Sequence, residues 1–211
     1  MSRLAAFVAA LMFSVSAVAV PITVHNTGVN SSDVLVGMGG AAAFWTLLSK
    51  PALATEAIGS GTFRFHHPAY AADTGTAAWV APAADGNAGV LGVYTYGLTI
   101  DLTGFDLSSV VISGQFSTDN DGFINVNGGA NTATTGFADF VSLHSFTLNS
   151  GFVAGLNTIQ VGANNGGDPT AFIVQFSSAN GNLASVVPEP ATLVLLGLGL
   201  FGLGFGVRKK A

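Results

Sequence analysis

The sequence predicts an all-β domain, an antiparallel β-sandwich of jelly-roll type, carried between two apolar ends. Three observations predict it. Between residues 62 and 176, apolar side chains recur in short runs that alternate as strands do. The runs are separated by Asn-Asp-Gly, Asn-Gly-Gly, Asn-Ser-Gly and Asn-Asn-Gly-Gly-Asp-Pro, all of them turn sequences. Only two stretches, Ala41–Leu48 and Leu53–Ala57, have a composition compatible with helix, and both are short. Many strands joined by close turns build sandwiches rather than parallel α/β sheets.

The elements follow in order. Residues 1–19, MSRLAAFVAALMFSVSAVA, begin with Arg3, continue through the apolar run Leu4–Val15 and end in Ala17-Val18-Ala19. A basic start, a short apolar core and a small-x-small end predict a signal peptide, a helix cut before Val20. The sandwich domain is expected over 20–177. Its strands are Thr62–His66, Val90–Leu102, Val110–Phe116, Phe123–Val126, Val141–Leu148, Leu156–Val161 and Ala171–Phe176. Residues 178–187, small and polar, read as a linker. The tail 188–211 contains Ala191–Val207, 17 consecutive uncharged residues, which as a helix span about 25 Å and reach across a hydrocarbon core.

Charge narrows the range of partners. The chain has 211 residues, of which 49% are hydrophobic and 8% charged. Between Val20 and Val187, two cations, Lys50 and Arg64, stand against ten acids, a formal −8. Such a domain repels phosphate, so nucleic acid is excluded as a partner. Cysteine is absent, which removes disulfides, thiol catalysis and zinc-thiolate sites.

Few residues carry chemistry. Asp119-Asn120-Asp121-Gly122 is the densest set of oxygen ligands. Asp119 and Asp121 are candidate ligands for a structural calcium, or else turn residues that bond their own backbone. An EF-hand is rejected because its twelfth position, counted from Ser117, is Gly128 rather than a glutamate. His66 and His67 are adjacent, so on a strand they face opposite sides and do not grip one ion together. No Gly-x-Ser-x-Gly is present to supply a nucleophile elbow, and nothing selects an acidic pair for glycoside hydrolysis. Trp45, Trp79 and Tyr94 are candidates to stack on a sugar, with core packing as the alternative for each.

The tail is more specific. Pro188-Glu189-Pro190 precedes the apolar span, and Arg208-Lys209-Lys210 closes it. The prolines stop a helix from running back out of the membrane, and the basic cluster marks a cytoplasmic end. This three-part tail resembles the PEP-CTERM sorting signal of Gram-negative bacteria. The resemblance implies an exosortase as partner, cutting near the Pro-Glu-Pro, transient anchoring in the inner membrane, and association with exopolysaccharide and biofilm. A second resemblance lies in residues 104–129 and 146–176. A strand ending in an Asp-Asn turn, a short strand ending in Val-Asn-Gly, Gly-Leu-Asn-Thr-Ile and Asn-Asn-Gly-Gly-Asp-Pro-Thr look like a galactose-binding-like β-sandwich.

The resulting expectation is an exported, non-catalytic protein of the cell envelope or exopolysaccharide matrix, needing no cofactor beyond the candidate calcium. The alternatives are a carbohydrate-binding module, with contacts from 119–121 or 164–170, and an envelope glycoside hydrolase.

Overall fold

The computed structural model describes residues 19–184. The expected signal peptide apart from Ala19, and the whole tail with its span 191–207, lie outside the described residues. Among the described residues no helix is long and apolar enough to cross a membrane.

Eleven antiparallel strands form one sheet. They are β1 (Ala19–Pro21), β2 (Ala41–Ser49), β3 (Gly61–Arg64), β4 (Val80–Ala81), β5 (Gly92–Asp101), β6 (Phe105–Asp119), β7 (Gly122–Val126), β8 (Ala133–Thr135), β9 (His144–Leu148), β10 (Leu156–Asn165) and β11 (Ala171–Leu183). Among the described residues helix is confined to a single 3-10 turn, Asp139–Val141. The order is β8-β7-β10-β5-β2-β3-β4-β11-β6-β9, with β1 added to β11. The short β3 and β4 let the sheet fold over, so β10, β5 and β2 face β11 and β6. The outermost strands, β8 and β9, come together, and the sheet nearly closes.

Alternation explains the core. Tyr94, Tyr96, Leu98 and Ile100 of β5 point inward with Ile159, Val161 and Ala163 of β10, and meet Phe172 and Val174 of β11. Tyr96 stacks on Phe172 at 4.5 Å between ring centroids, and Trp45 meets the same ring edge-on at 5.5 Å. The other face of β11 is also covered. Ala171 and Ile173 pack under Tyr70, Ala77 and Trp79, which arrive on the chain between β3 and β4. A strand buried on both faces reads as an apolar run, as Ala-Phe-Ile-Val does here.

The turn chemistry is realised. Asn127 and Gly128 both take positive φ, 54° and 70°, and the Gly129 amide donates to the Val126 carbonyl at 2.9 Å. Positive φ at both central residues is the primed kind of turn, and here it opens the six-residue connection 127–132 from β7 to β8.

Several expected elements and boundaries are corrected. Ala41–Leu48 is not helix but strand β2, because Trp45 and Leu47 find a core beside β5 and tertiary burial overrides a weak local preference. Residues 53–57 form turns without helix. The stretch expected as a linker is strand as far as Leu183, because Asn180 and Asn182 pair with β6 on one side while 180–182 take β1 on the other. Ala19, placed at the end of the signal peptide, is the first residue of β1.

Candidate functional site

The sheet has two poles. β11 leaves toward the tail at Leu183, opposite Phe105, while its start at Ala171 lies opposite Asp119. Twelve steps separate Ala171 from Leu183, roughly 40 Å at about 3.3 Å per residue. Ala19 pairs with Asn182, so both flanking segments attach at the same, proximal pole. Asp119–Asp121 and the loop 164–170 occupy the distal one.

At the distal pole a hollow of about 210 Å³ opens on the outer side of β8, β7, β10 and β5. The outward positions of these strands line it. They are Val93 of β5, Phe123 of β7, Thr134 of β8, and Gly162 and Asn164 of β10, joined by Asn131 and Asp121 from the turns. Gly162 stands opposite Phe123, and a Cβ on Gly162 would come within 2.3 Å of the Phe123 ring. Only glycine leaves room for the ring there. The polar wall is fixed by reciprocal bonds. The Asn164 side-chain amide donates to Asp121 Oδ1 at 2.8 Å, and the Asn164 backbone amide donates to the Asp121 carbonyl at 2.8 Å. The Asn120 amide donates to the Asn164 carbonyl, and Asn120 Oδ1 accepts from the Gly166 amide at 2.7 Å. Beside Gly166 stands Phe137, 69% exposed.

A second, shallower hollow of about 400 Å³ lies over Gly114 on the outer face of β9, β6 and β11. Its side chains are mostly hydroxyls and amides, among them Gln115, Thr147 and Gln175, with Phe146 also in the lining.

Asp119 and Asp121 serve different surroundings. Asp119 is buried at the end of β6. Its Oδ2 accepts from the Tyr70 hydroxyl at 2.6 Å, and its carbonyl accepts from the Thr170 hydroxyl at 2.7 Å. Its Oδ1 is buried without a hydrogen-bond partner. Burial raises this carboxyl above its ordinary range, against the opposing pull of the Tyr70 bond and the nearby His67. Burial raises the Tyr70 hydroxyl as well, with Asp119 adding to it. Among the described residues no group of three or more His, Asp or Glu side chains is placed to hold a metal. Calcium takes six to eight oxygens, carbonyls among them; here Asp119 Oδ2 is engaged by Tyr70 and Asp121 Oδ1 by Asn164.

The aromatic candidates are corrected by burial. Trp45, Trp79 and Tyr94 are fully buried and offer no face to a sugar. Their polar atoms are satisfied inside: Trp45 Nε1 donates to the His25 carbonyl, Trp79 Nε1 to the Ala71 carbonyl, and the Tyr94 hydroxyl to the carbonyls of Ala88 and Val90. Burial pushes the Tyr94 hydroxyl up to about 12. Among the described residues the large aromatic ring that is exposed is Phe137. The sequence signal for it is a lone aromatic between Gly136 and Ala138, outside any alternating run.

Among the described residues, Ser142, His144 and Asp139 form a serine–histidine–aspartate grouping. Ser142 Oγ lies 3.2 Å from His144 Nε2, and Asp139 Oδ2 lies 3.8 Å from the same nitrogen. A relay needs serine on one ring nitrogen and carboxylate on the other. With both on Nε2, the imidazole is not set to activate the serine.

Comparison with protein families matches residues 186–210 to the PEP-CTERM protein-sorting motif. The match includes Pro188, Glu189, Pro190, Arg208, Lys209 and Lys210, and it identifies a sorting signal of exported proteins handed to an exosortase. No curated protein and no solved structure matches the chain.

Proposed function

We propose that this protein is an exported, non-catalytic component of the envelope or exopolysaccharide matrix of a Gram-negative bacterium, routed there by its tail. The single observation that carries the reading is the sorting motif at 186–210. The signal peptide sends the chain across the inner membrane, Ala191–Val207 halts it as a transmembrane helix, and the exosortase acts near Pro188-Glu189-Pro190. Arg208-Lys209-Lys210 keeps the end of the chain on the cytoplasmic side. We read the body as a jelly-roll sandwich of galactose-binding-like type, a reading supported by the near-closed antiparallel sheet and the Asn-Asn-Gly-Gly-Asp-Pro-Thr loop at its distal pole. The absence of catalysis rests on the Ser142–His144–Asp139 geometry and on acids held in turns or in the core.

The test is removal of residues 188–211, with mass spectrometry of the C-terminus of the protein recovered from unaltered cells. The expected results are a mature C-terminus close to Pro188 and loss of normal sorting in the deletion. Unchanged export and release of the deleted form would overturn the proposal.

A further inference from the structure

We infer that the distal hollow is a binding site for one sugar unit of a neutral polysaccharide, with Phe137 as the stacking platform for the next unit along the chain. The inference deepens the proposed function and rests on it only for where the polysaccharide is met.

The chemistry of the hollow selects the ligand. A sugar ring offers hydroxyls around its edge and an apolar C–H face. Asp121 supplies a carboxylate already turned by Asn164, with one oxygen engaged at 2.8 Å. A carboxylate has about four acceptor sites, so it retains capacity for hydroxyl donors. Asn131 and Thr134 line the same wall and add groups that both donate and accept. Apolar surface comes from Phe123, seated on Gly162, and from Val93, which is 44% exposed. Volume sets the size. At about 210 Å³, the space falls below the roughly 300–1,000 Å³ of drug-sized sites, and it suits a single ring.

Phe137 extends the site. It follows the hollow's Thr135 by two residues and packs beside Gly166, two residues beyond Asn164. A large exposed ring beside a built polar hollow marks an interaction site more than an isolated surface aromatic does. Aromatic faces are rich in π-density and cover C–H surfaces well.

Charge excludes acidic polymers. Asp121 lines the hollow, Asp85 and Asp168 stand in the neighbouring loops, and neither Lys50 nor Arg64 lines it. A uronic acid there would meet like charge with no cation to offset it. The fold adds a direction, because the hollow lies at the pole opposite Leu183, where β11 leaves toward the tail.

The test is affinity electrophoresis of the full chain in gels containing dextran, galactomannan or arabinogalactan, with polygalacturonate as the acidic comparison. At least one neutral polymer should retard the protein, and polygalacturonate should not. Asp121→Asn and Phe137→Ala should each weaken that retardation about tenfold, while Gln115→Ala, in the hollow over Gly114, leaves it unchanged. Phe137 is exposed and its loss leaves the core intact, so this variant keeps the test sound if Asp121→Asn disturbs the turn. Failure of all three neutral polymers overturns the inference, and so does retardation that neither variant weakens or retardation by polygalacturonate alone. Deleting 188–211 should leave sugar binding unchanged, which separates failure of this site from failure of the sorting reading.

Discussion

Tyr70→Phe isolates one buried hydrogen bond without disturbing the packing around it. The Tyr70 ring lies 4.4 Å from Trp79, 5.8 Å from Phe140 and 6.3 Å from Phe65 between centroids, and phenylalanine keeps every one of these contacts. Only the hydroxyl is lost, and with it the 2.6 Å bond to Asp119 Oδ2. Because Asp119 Oδ1 is already buried without a partner, the substitution leaves the whole carboxylate unpaired. A hydrogen bond to a charged group contributes about 1.5–3 kcal/mol, against about 0.5–1.5 for a neutral pair. The loss at pH 7 should therefore fall in the upper range. At pH 4 it should drop toward the lower, because the raised carboxyl of folded Asp119 takes up its proton at higher pH than in the unfolded chain.

The sign follows from linkage. A carboxyl raised in the folded state means that the native protein binds more protons between the ordinary and the raised value, so Asp119 itself lowers stability as pH rises through that window. Asp119→Asn should then be tolerated better at pH 7 than the loss of Tyr70. It should also reduce the cost of Tyr70→Phe in the double variant. Urea unfolding of the four proteins at both pH values measures these quantities. An equal cost of Tyr70→Phe at pH 4 and pH 7, or a cost at pH 7 below about 0.5 kcal/mol, would refute the reasoning.

Two further substitutions or additions test the fold and the site. Gly114→Ala places a Cβ 2.2 Å from the Gln175 carbonyl oxygen, which is backbone of a paired strand and has no room to yield; thermal unfolding should show a loss of at least about 1–3 kcal/mol. Gly75→Ala, where a Cβ meets nothing within 4 Å, serves as the control and should stay within about 0.5 kcal/mol. Excess calcium, or a chelator, should leave the unfolding midpoint unchanged, since a bound ion would stabilise by mass action; a calcium-dependent rise would restore Asp119 and Asp121 as ligands.

Long alternating runs made much of the sheet legible. The expected strands at 90–102, 123–126, 156–161 and 171–176 correspond to β5, β7, β10 and β11, because one face of each is buried and the other is exposed or covered in register. β2 was not legible, because Ala-Ala-Ala-Phe-Trp-Thr-Leu-Leu has no period of two. The strand is irregular, with Phe44 at φ 71° and shifts of register against both β3 and β5. β4 and β8, of two and three residues, are too short to carry any period. At the site, Asp121 in its turn and Asn164 near the end of β10 stood out by composition, but the depth at which Trp45, Trp79 and Tyr94 lie did not. An aromatic with a polar atom looks the same in sequence whether that atom meets a ligand or a backbone carbonyl. Phe137 was hidden for the converse reason, since nothing in the composition separates one exposed phenylalanine from the fifteen others.

The position of β1 connects the sequence's two ends to the use of the domain between them. Val20 stands opposite Gly181, and the Ile22 amide donates to the Ala179 carbonyl at 2.9 Å. Gly181 admits this approach because a side chain there would press on Phe105, Val110 and Ile22. The start of the body is thus clasped to the last strand before the tail. A pull on the tail is shared with β1 and with β6, instead of peeling β11 from its end. Six residues, 185–190, separate Ala184 from the apolar span, reaching at most about 20 Å when extended. On the proposed anchoring, the proximal pole is the end of the body next to the tail, and the distal hollow lies roughly 40 Å along β11 from it.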